Sequence, residues 1–126
     1  MILGTVRDQI EIMIPLELFD ADGQSKTIPF VLDSGFTGYL SLSAANVREL
    51  QLAPKGLQPG ILADGTSVAM RLVEVSVMWH GVMQQVDAQV LGEPLIGTRM
   101  LKGSELRAKF EPNGDVTISE LESKSP

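Results

Sequence analysis

The chain has 126 residues, enough for one domain, and 44% of them are hydrophobic, which predicts a folded core rather than disorder. A formal net charge of −6 argues against nucleic acid and anionic membrane surfaces as partners, because both attract basic faces. The absence of cysteine excludes disulfides and thiolate zinc sites.

Alternation of apolar and polar residues dominates the first half of the chain and predicts short strands. The predicted elements of this half are strands at 10–18, 27–32 and 39–42, a turn at 20–23 and a helix at 44–50. Pro15 marks an edge or a bulge of the first strand, and Ser43 is the expected N-cap of the helix. The strand at 27–32 ends in an apolar run that stops at Asp33.

The second half of the chain repeats the strand pattern with more turn signals. Its predicted elements are a loop at 54–60, a hairpin at 61–70, strands at 71–79 and 82–91, a short helix at 98–101 and a final hairpin at 108–118. The sum predicts one all-β domain over residues 1–121, with one or two short helices and a frayed tail at 122–126.

Asp33 is the residue most in need of an explanation. A carboxylate at the end of a buried strand is costly when it is desolvated and unpaired. Ser34 follows with a hydroxyl that can bond to backbone, and Gly35 allows a tight turn and a close approach to a ligand. This arrangement favours a functional role for Asp33.

Two segments carry a family resemblance. Residues 30–38, with Asp33-Ser34-Gly35 at their centre, resemble the apolar-apolar-Asp-Thr/Ser-Gly signature of aspartic peptidases. Residues 94–101 resemble the second signature of that family, two apolar residues and a glycine before a short helix, here Leu95, Ile96 and Gly97.

The order of these segments is similar to that of retropepsin-like (clan AA) single-domain aspartic proteases. The segments are about 60 residues apart, with an Asp-Gly hairpin between them and a hairpin after them. The resemblance extends over roughly residues 2–121 and implies a small closed β-barrel-like acid-protease fold.

The resemblance implies an aspartic endopeptidase that acts as a homodimer, since the chain holds a single Asp-Ser-Gly. Two Asp33 carboxylates would share one proton and activate a water to hydrolyse a peptide or protein substrate, without a metal or another cofactor. Ser34 would bond to backbone across the dimer axis, and Gly35 would offer its carbonyl to the substrate. Gly97 would let its segment cross closely beneath the active-site loop.

The resemblance also implies a flap, a hairpin that covers the substrate. The residues expected to bind substrate are Phe36, Thr37, Leu62, Ala63, Asp64, Gly65 and Thr66. The apolar side chains near Phe36, Ile61 and Leu62 predict apolar subsites.

Two departures place the chain nearer to cellular and bacterial relatives than to viral ones. Phe36 stands where many relatives have alanine or serine. Thr98 separates Gly97 from Arg99, whereas retroviral relatives put the arginine directly after the glycine, and Thr37 is not the acidic partner of such an arginine.

Two other readings stay open: a catalytically weak or silent dimeric peptide-binding module on the same fold, and an unrelated small β-barrel binding domain. A serine triad or a metal site is disfavoured, because His80 is the only histidine and Ser41 and Ser43 have no nearby base. The chain shows neither a signal peptide nor an apolar run of membrane-spanning length, so we expect a cytoplasmic protein.

Overall fold

The structure is a computed structural model, and it describes residues 1–61 and 63–122. Within these ranges the chain forms ten strands and one helix. They are β1 (Ile2–Arg7), β2 (Glu11–Phe19), β3 (Ser25–Leu32), β4 (Leu40–Leu42), α1 (Ala44–Glu49), β5 (Pro54–Ile61), β6 (Ser67–Trp79), β7 (Val82–Val90), β8 (Leu95–Ile96), β9 (Ser104–Ala108) and β10 (Asp115–Glu120). The predicted frayed tail lies outside the described residues except for Glu122.

The strands form one sheet that closes on itself. Its order is β5-β6-β7-β4-β8-β3-β2-β1-β10-β9, and β6 also pairs with β2. The six strands from β6 through β7, β4, β8 and β3 to β2 therefore make a ring. The pairs β3–β8 and β4–β7 are parallel, and the other pairs are antiparallel. The predicted fold class, an all-β barrel-like fold with a short helix, is confirmed.

The core lies inside the ring, because alternate residues of each strand point inward. In β2 the buried positions are Ile14, Leu16 and Leu18, and in β3 they include Ile28 and Phe30. The other fully enclosed apolar side chains come from the ring strands β4, β6, β7 and β8, from the added strands β1 and β10, and from the end of α1: Leu40, Leu42, Val75, Val77, Ala88, Ile96, Val6, Val116, Ile118 and Leu50.

Pro15 lies where β2 has a single neighbouring strand. The pairing of β2 with β1 ends at Met13, its pairing with β6 begins at Leu18, and only β3 spans the gap. Pro15 there stands opposite Pro29 of β3. A proline has no N–H to donate, so this locally one-sided stretch accommodates it without the loss of a ladder hydrogen bond.

The prediction of a loop at 54–60 is wrong, because these residues belong to β5. Prolines and glycines indicated a loop, yet β5 pairs on one side only, with β6. An edge strand tolerates proline, and the register shift between Pro54 and Gly56 absorbs an extra residue as a bulge.

The predicted helix at 98–101 is also wrong; the chain there makes successive tight turns. Its backbone N–H groups bond three residues back, Met100 to Gly97 O at 3.2 Å and Leu101 to Thr98 O at 3.1 Å. The N–H groups of Thr98 and Arg99 bond instead to a neighbouring loop. The earlier helix, α1, has the predicted Ser43 N-cap with a complete capping box.

No helix among the described residues is long and apolar enough to cross a membrane.

Ser41 of β4 is the buried polar side chain of the ring. It is 0% exposed, and its Oγ both donates to Glu93 O at 2.7 Å and accepts from Leu95 N–H at 3.0 Å. The hydroxyl thereby holds the start of β8 against β4. The ladder between these two strands contains only two residue pairs.

We expect Ser41→Ala to lower the free energy of unfolding by about 2 kcal/mol, because the substitution removes both hydrogen bonds of a fully buried hydroxyl and leaves the Glu93 carbonyl and the Leu95 N–H without this partner. Urea unfolding of the variant measures this. Ser67→Ala, at an exposed position, is the control and should change stability by less than about 0.5 kcal/mol. Equal effects of the two substitutions would contradict the role of the Ser41 hydroxyl.

Candidate active site

Asp33 is the first residue of the loop that follows β3. The last residues of β3 pair in parallel with β8, Val31 with Leu95 and Leu32 with Ile96. The Asp33 N–H continues this pairing by donating to Ile96 O at 3.0 Å. The β3 strand, which is buried at Phe30, therefore delivers Asp33 to the end of the ring.

The Asp33 carboxylate is held at one oxygen. Its Oδ1 accepts the Gly35 N–H at 2.8 Å, and the Phe36 N–H donates to the Asp33 carbonyl at 3.1 Å, so the loop turns back at once. Asp33 is half-buried, while Ser34 and Gly35 are exposed. Among the described residues no salt bridge and no further hydrogen-bond donor reaches this carboxylate.

The segment after β8 supports the loop from beneath. Three consecutive N–H groups donate to it: Gly97 to Tyr39 O at 2.9 Å, Thr98 to Phe36 O at 2.9 Å and Arg99 to Gly38 O at 3.2 Å. Gly97 is buried, and a Cβ atom at this position would lie 2.1 Å from the Gly38 carbonyl oxygen. The structure therefore brings the two sequence signatures into backbone contact.

We expect Gly97→Ala to destabilise the protein by about 3 kcal/mol or more, because the methyl group would displace the backbone of the loop that carries Asp33. Thermal or urea unfolding measures the loss. Gly92→Ala is the matched control, since a Cβ at Gly92 meets nothing within 4 Å. Similar stability of the two variants would show that the loop moves away at little cost.

Phe36 packs within its own loop. A Cβ at Gly38 would lie 2.7 Å from Phe36 Cζ, so the ring lies directly against the Gly38 backbone. Phe36 is half-buried and the neighbouring Thr37 is exposed. Both side chains are therefore at least partly open to solvent in the Asp33 loop.

The predicted flap is a projecting two-stranded arm. Residues 67–71 of β6 pair with β5 alone, because the pairing of β6 with β7 begins at Leu72. Ile61, at the end of β5, is 79% exposed. Leu62 lies outside the described residues, and Ala63, Asp64, Gly65 and Thr66 are all exposed at the tip.

The tip is shaped by Asp64. Its Oδ1 accepts the Thr66 N–H at 2.9 Å, and Gly65 has a φ of +87°, which favours glycine. The hydrogen bonds from the Thr66 side chain and backbone lower the pKa of the Asp64 carboxyl below its ordinary value of 3.8. The hydrogen bonds of the tip are local, and none of those among the described residues joins it to Asp33.

Because the pKa of Asp64 is lowered, the tip should lose stability when the pH falls and not when it rises. The stabilisation from ionised Asp64 is fully present above the ordinary pKa and is lost as the pH falls through the lowered one. We expect amide exchange at Thr66, corrected for intrinsic rates, to accelerate only below about pH 4. Asp64→Asn should remove this acid step, which NMR exchange measures.

The Gly114 amide, which donates to the Glu111 backbone carbonyl, is the internal control for this titration. If Gly114 and Thr66 lose protection together, the effect is global unfolding and the assignment to Asp64 is wrong.

The base of the arm is anchored by Lys55 of β5. Its Nζ lies 2.6 Å from Asp87 Oδ1 on β7 and 3.4 Å from Glu74 Oε2 on β6. The hydrogen bond to Asp87 is the main reason that the pKa of Lys55 lies above its ordinary value of 10.5. Three strands are thus linked at the point where the arm leaves the sheet.

A polar cleft separates the base of the arm from the Asp33 loop. Its volume is about 80 Å³, and its walls include Gly38, Gln58, Asp87, Gln89 and Arg99. Gln89 Nε2 donates to Gln58 Oε1 at 3.1 Å across it. The sequence did not indicate Gln58, Asp87 and Gln89, because the pairing of β5 with β6, of β6 with β7 and of β7 with β4 brings them beside the loop.

Comparison with known proteins gives one structural likeness. No protein-family model and no curated protein matches the chain. Among solved structures, the chain is similar to the EIAV protease complexed with the inhibitor HBY-793, at 17% sequence identity and a TM-score of 0.48, over 77% of this chain and 92% of that chain. What the chain does therefore has to be inferred from the geometry of its own site.

Proposed function

We propose that the chain is one subunit of a homodimeric aspartic endopeptidase, with one Asp33 from each subunit at the active site. The observation that carries this proposal is the hydrogen bonding of the Asp33 carboxylate. One oxygen is fixed by the Gly35 N–H, and the described residues offer the other oxygen no partner. The loop around it is held rigidly by residues 97–99.

A second copy of the loop supplies what the single chain lacks. Ser34, Gly35 and Thr37 are exposed, and the Ser34 hydroxyl has no hydrogen-bond partner among the described residues. A two-fold axis beside this loop would bring two Asp33 carboxylates together and give each Ser34 hydroxyl a backbone partner across the axis. The exposed loop is thereby explained as an interface.

The proposed chemistry follows from two carboxylates that share one proton. The ionised carboxylate accepts a proton from a water molecule, and this water attacks the peptide carbonyl carbon. The protonated carboxylate donates its proton to the carbonyl oxygen, which gives a tetrahedral diol. The carboxylate that took the proton from water then gives it to the leaving amine as the C–N bond breaks, while the other carboxylate takes back a proton from a diol hydroxyl. The Gly35 N–H keeps Oδ1 of Asp33 oriented throughout.

The arm supplies the cover over the substrate in this proposal. An extended peptide would lie between the Asp33 loop and the arm and bond to backbone groups as a strand does. Phe36 and Thr37 would line the floor, and residues 63–66 would close over the peptide and exclude water. The exposure of Ile61 on the free arm fits a side chain that becomes covered on binding.

We expect Asp33→Asn to abolish peptide hydrolysis, with a fall in kcat/KM of about 10³-fold or more, because the neutral amide cannot act as a base. Asp22→Asn, the same change at an exposed turn residue, should leave the rate unchanged. Peptide-cleavage assays over a pH series, with the mass in solution measured alongside, test this. A wild-type dimer that is no more active than Asp33→Asn would instead indicate the silent peptide-binding module.

Subunit mixing tests whether the active unit needs two Asp33 residues. After exchange with an equal amount of Asp33→Asn chains, activity per wild-type chain should fall to about one half, because random pairing gives half of these chains an inactive partner. Mixing with Asp22→Asn should cause no loss. Full activity in the first mixture would mean that one chain is catalytically sufficient.

A further inference from the structure

A second, larger cleft lies on the far side of Tyr39 and Arg99 from the polar cleft. Its volume is about 410 Å³, and it is bordered by the β6–β7 turn, by residues 99–104 and by the end of β10. Tyr39 and Arg99 line both clefts. The two clefts therefore adjoin at these residues, and the first cleft also includes Gly38 of the Asp33 loop.

The second cleft holds two cations, Arg99 and Lys102. Neither forms an ion pair with a carboxylate among the described residues. The Arg99 guanidinium lies 5.8 Å from the centre of the Tyr39 ring, which favours a cation and limits its movement. In a chain of net charge −6, this is a local concentration of positive charge.

A fixed hydroxyl lies in the same cleft. Ser104 Oγ is 2.8 Å from His80 Nε2, and both residues are half-buried. His80 has a φ of +50° in the turn between β6 and β7, and its ring stands edge-on to Trp79 at 5.2 Å. With the proton on Nε2, His80 donates to Ser104 Oγ and leaves the serine O–H free to donate to an acceptor in the cleft.

We propose that this cleft binds the carboxylate of an acidic side chain of the peptide, several residues from the scissile bond. Arg99 and Lys102 supply the charge, and Ser104 supplies a directed hydrogen bond. The inference deepens the proposed peptidase function, on which it rests, by naming the substrate class: peptides with an aspartate or glutamate outside the reacting residues.

Among the described residues one acidic side chain, that of Glu120, lines the cleft, and its removal should change binding in the opposite direction to removal of a cation. Glu120 is exposed at the end of β10, and it opposes the entry of a second carboxylate. Its removal should therefore strengthen the binding of an acidic peptide, whereas removal of either cation should weaken it.

Binding to the Asp33→Asn protein tests the site without hydrolysis. Fluorescence anisotropy would compare labelled peptides of constant sequence in which a single glutamate is moved through the positions, each beside its glutamine counterpart. We expect the best glutamate peptide to bind about fivefold more tightly than its counterpart, and this preference to shrink at high salt. Arg99→Gln and Lys102→Gln should each reduce the preference about threefold, and Glu120→Gln should increase it.

Lys109→Gln is the matched control, because it removes the same charge at an exposed position outside the cleft. Equal binding of glutamate and glutamine peptides at every position would overturn the proposal, and so would an equal loss in Lys109→Gln. Free glutarate is the second probe: if it binds as tightly as the best peptide, the cleft is a site for a free carboxylate and the assignment to a substrate side chain is wrong.

The two proposals fail in different ways. Wild-type protein that hydrolyses peptides without any preference for glutamate retains the peptidase function and refutes the acidic anchor. Protein that never hydrolyses peptides, yet selects glutamate through Arg99 and Lys102, retains the carboxylate site and refutes the peptidase function.

Discussion

The backbone contact between Gly97 and Gly38 is the constraint on which the rest of this structure depends. A Cβ at Gly97 would lie 2.1 Å from the Gly38 oxygen, so no other residue fits without movement of the loop. The contact seats β8, a strand of only two residues, between β3 and β4. The same contact therefore completes the ring of strands and fixes the direction in which Asp33 leaves it.

The long strand β6 belongs both to the ring and to the arm. This strand of 13 residues closes the ring against β2 near Val77, pairs with β7 from Leu72 to its last residue, Trp79, and pairs with β5 alone over its first residues. The arm is consequently not an independent loop. Its base is set by the same ladder that holds the core, and Lys55 adds an ion pair at that base. Movement is left to the outer residues, which have a single partner strand.

The sequence predicted the features that depend on interactions between residues close together in the chain. Asp33 at the end of an apolar run, the Asp64-Gly65 turn and the Ser43 cap each depend on neighbours within a few residues. The strand β5 and the turns at 98–101 were missed because tertiary partners override local preference there: an edge position tolerates prolines, and residues 98–101, held against the loop of Asp33, make tight turns before β9 begins at Ser104. The cleft residues depend on register between distant strands, which periodicity does not give.

The two aspartates of the site region show how environment assigns different tasks to the same side chain. Asp64 is exposed, and the hydrogen bonds from Thr66 favour its ionised form, so the tip of the arm keeps its shape in mild acid. Among the described residues, the Asp33 carboxylate has one hydrogen-bond donor, the Gly35 N–H, and in the proposed dimer its other oxygen would face a second carboxylate and a shared proton. In the proposed peptidase, the tip of the arm would stay folded at a pH at which the pair of Asp33 carboxylates holds its proton, as acid–base hydrolysis under a cover requires. The proposal thus assigns the group that stays charged and the group that exchanges a proton to different parts of one subunit.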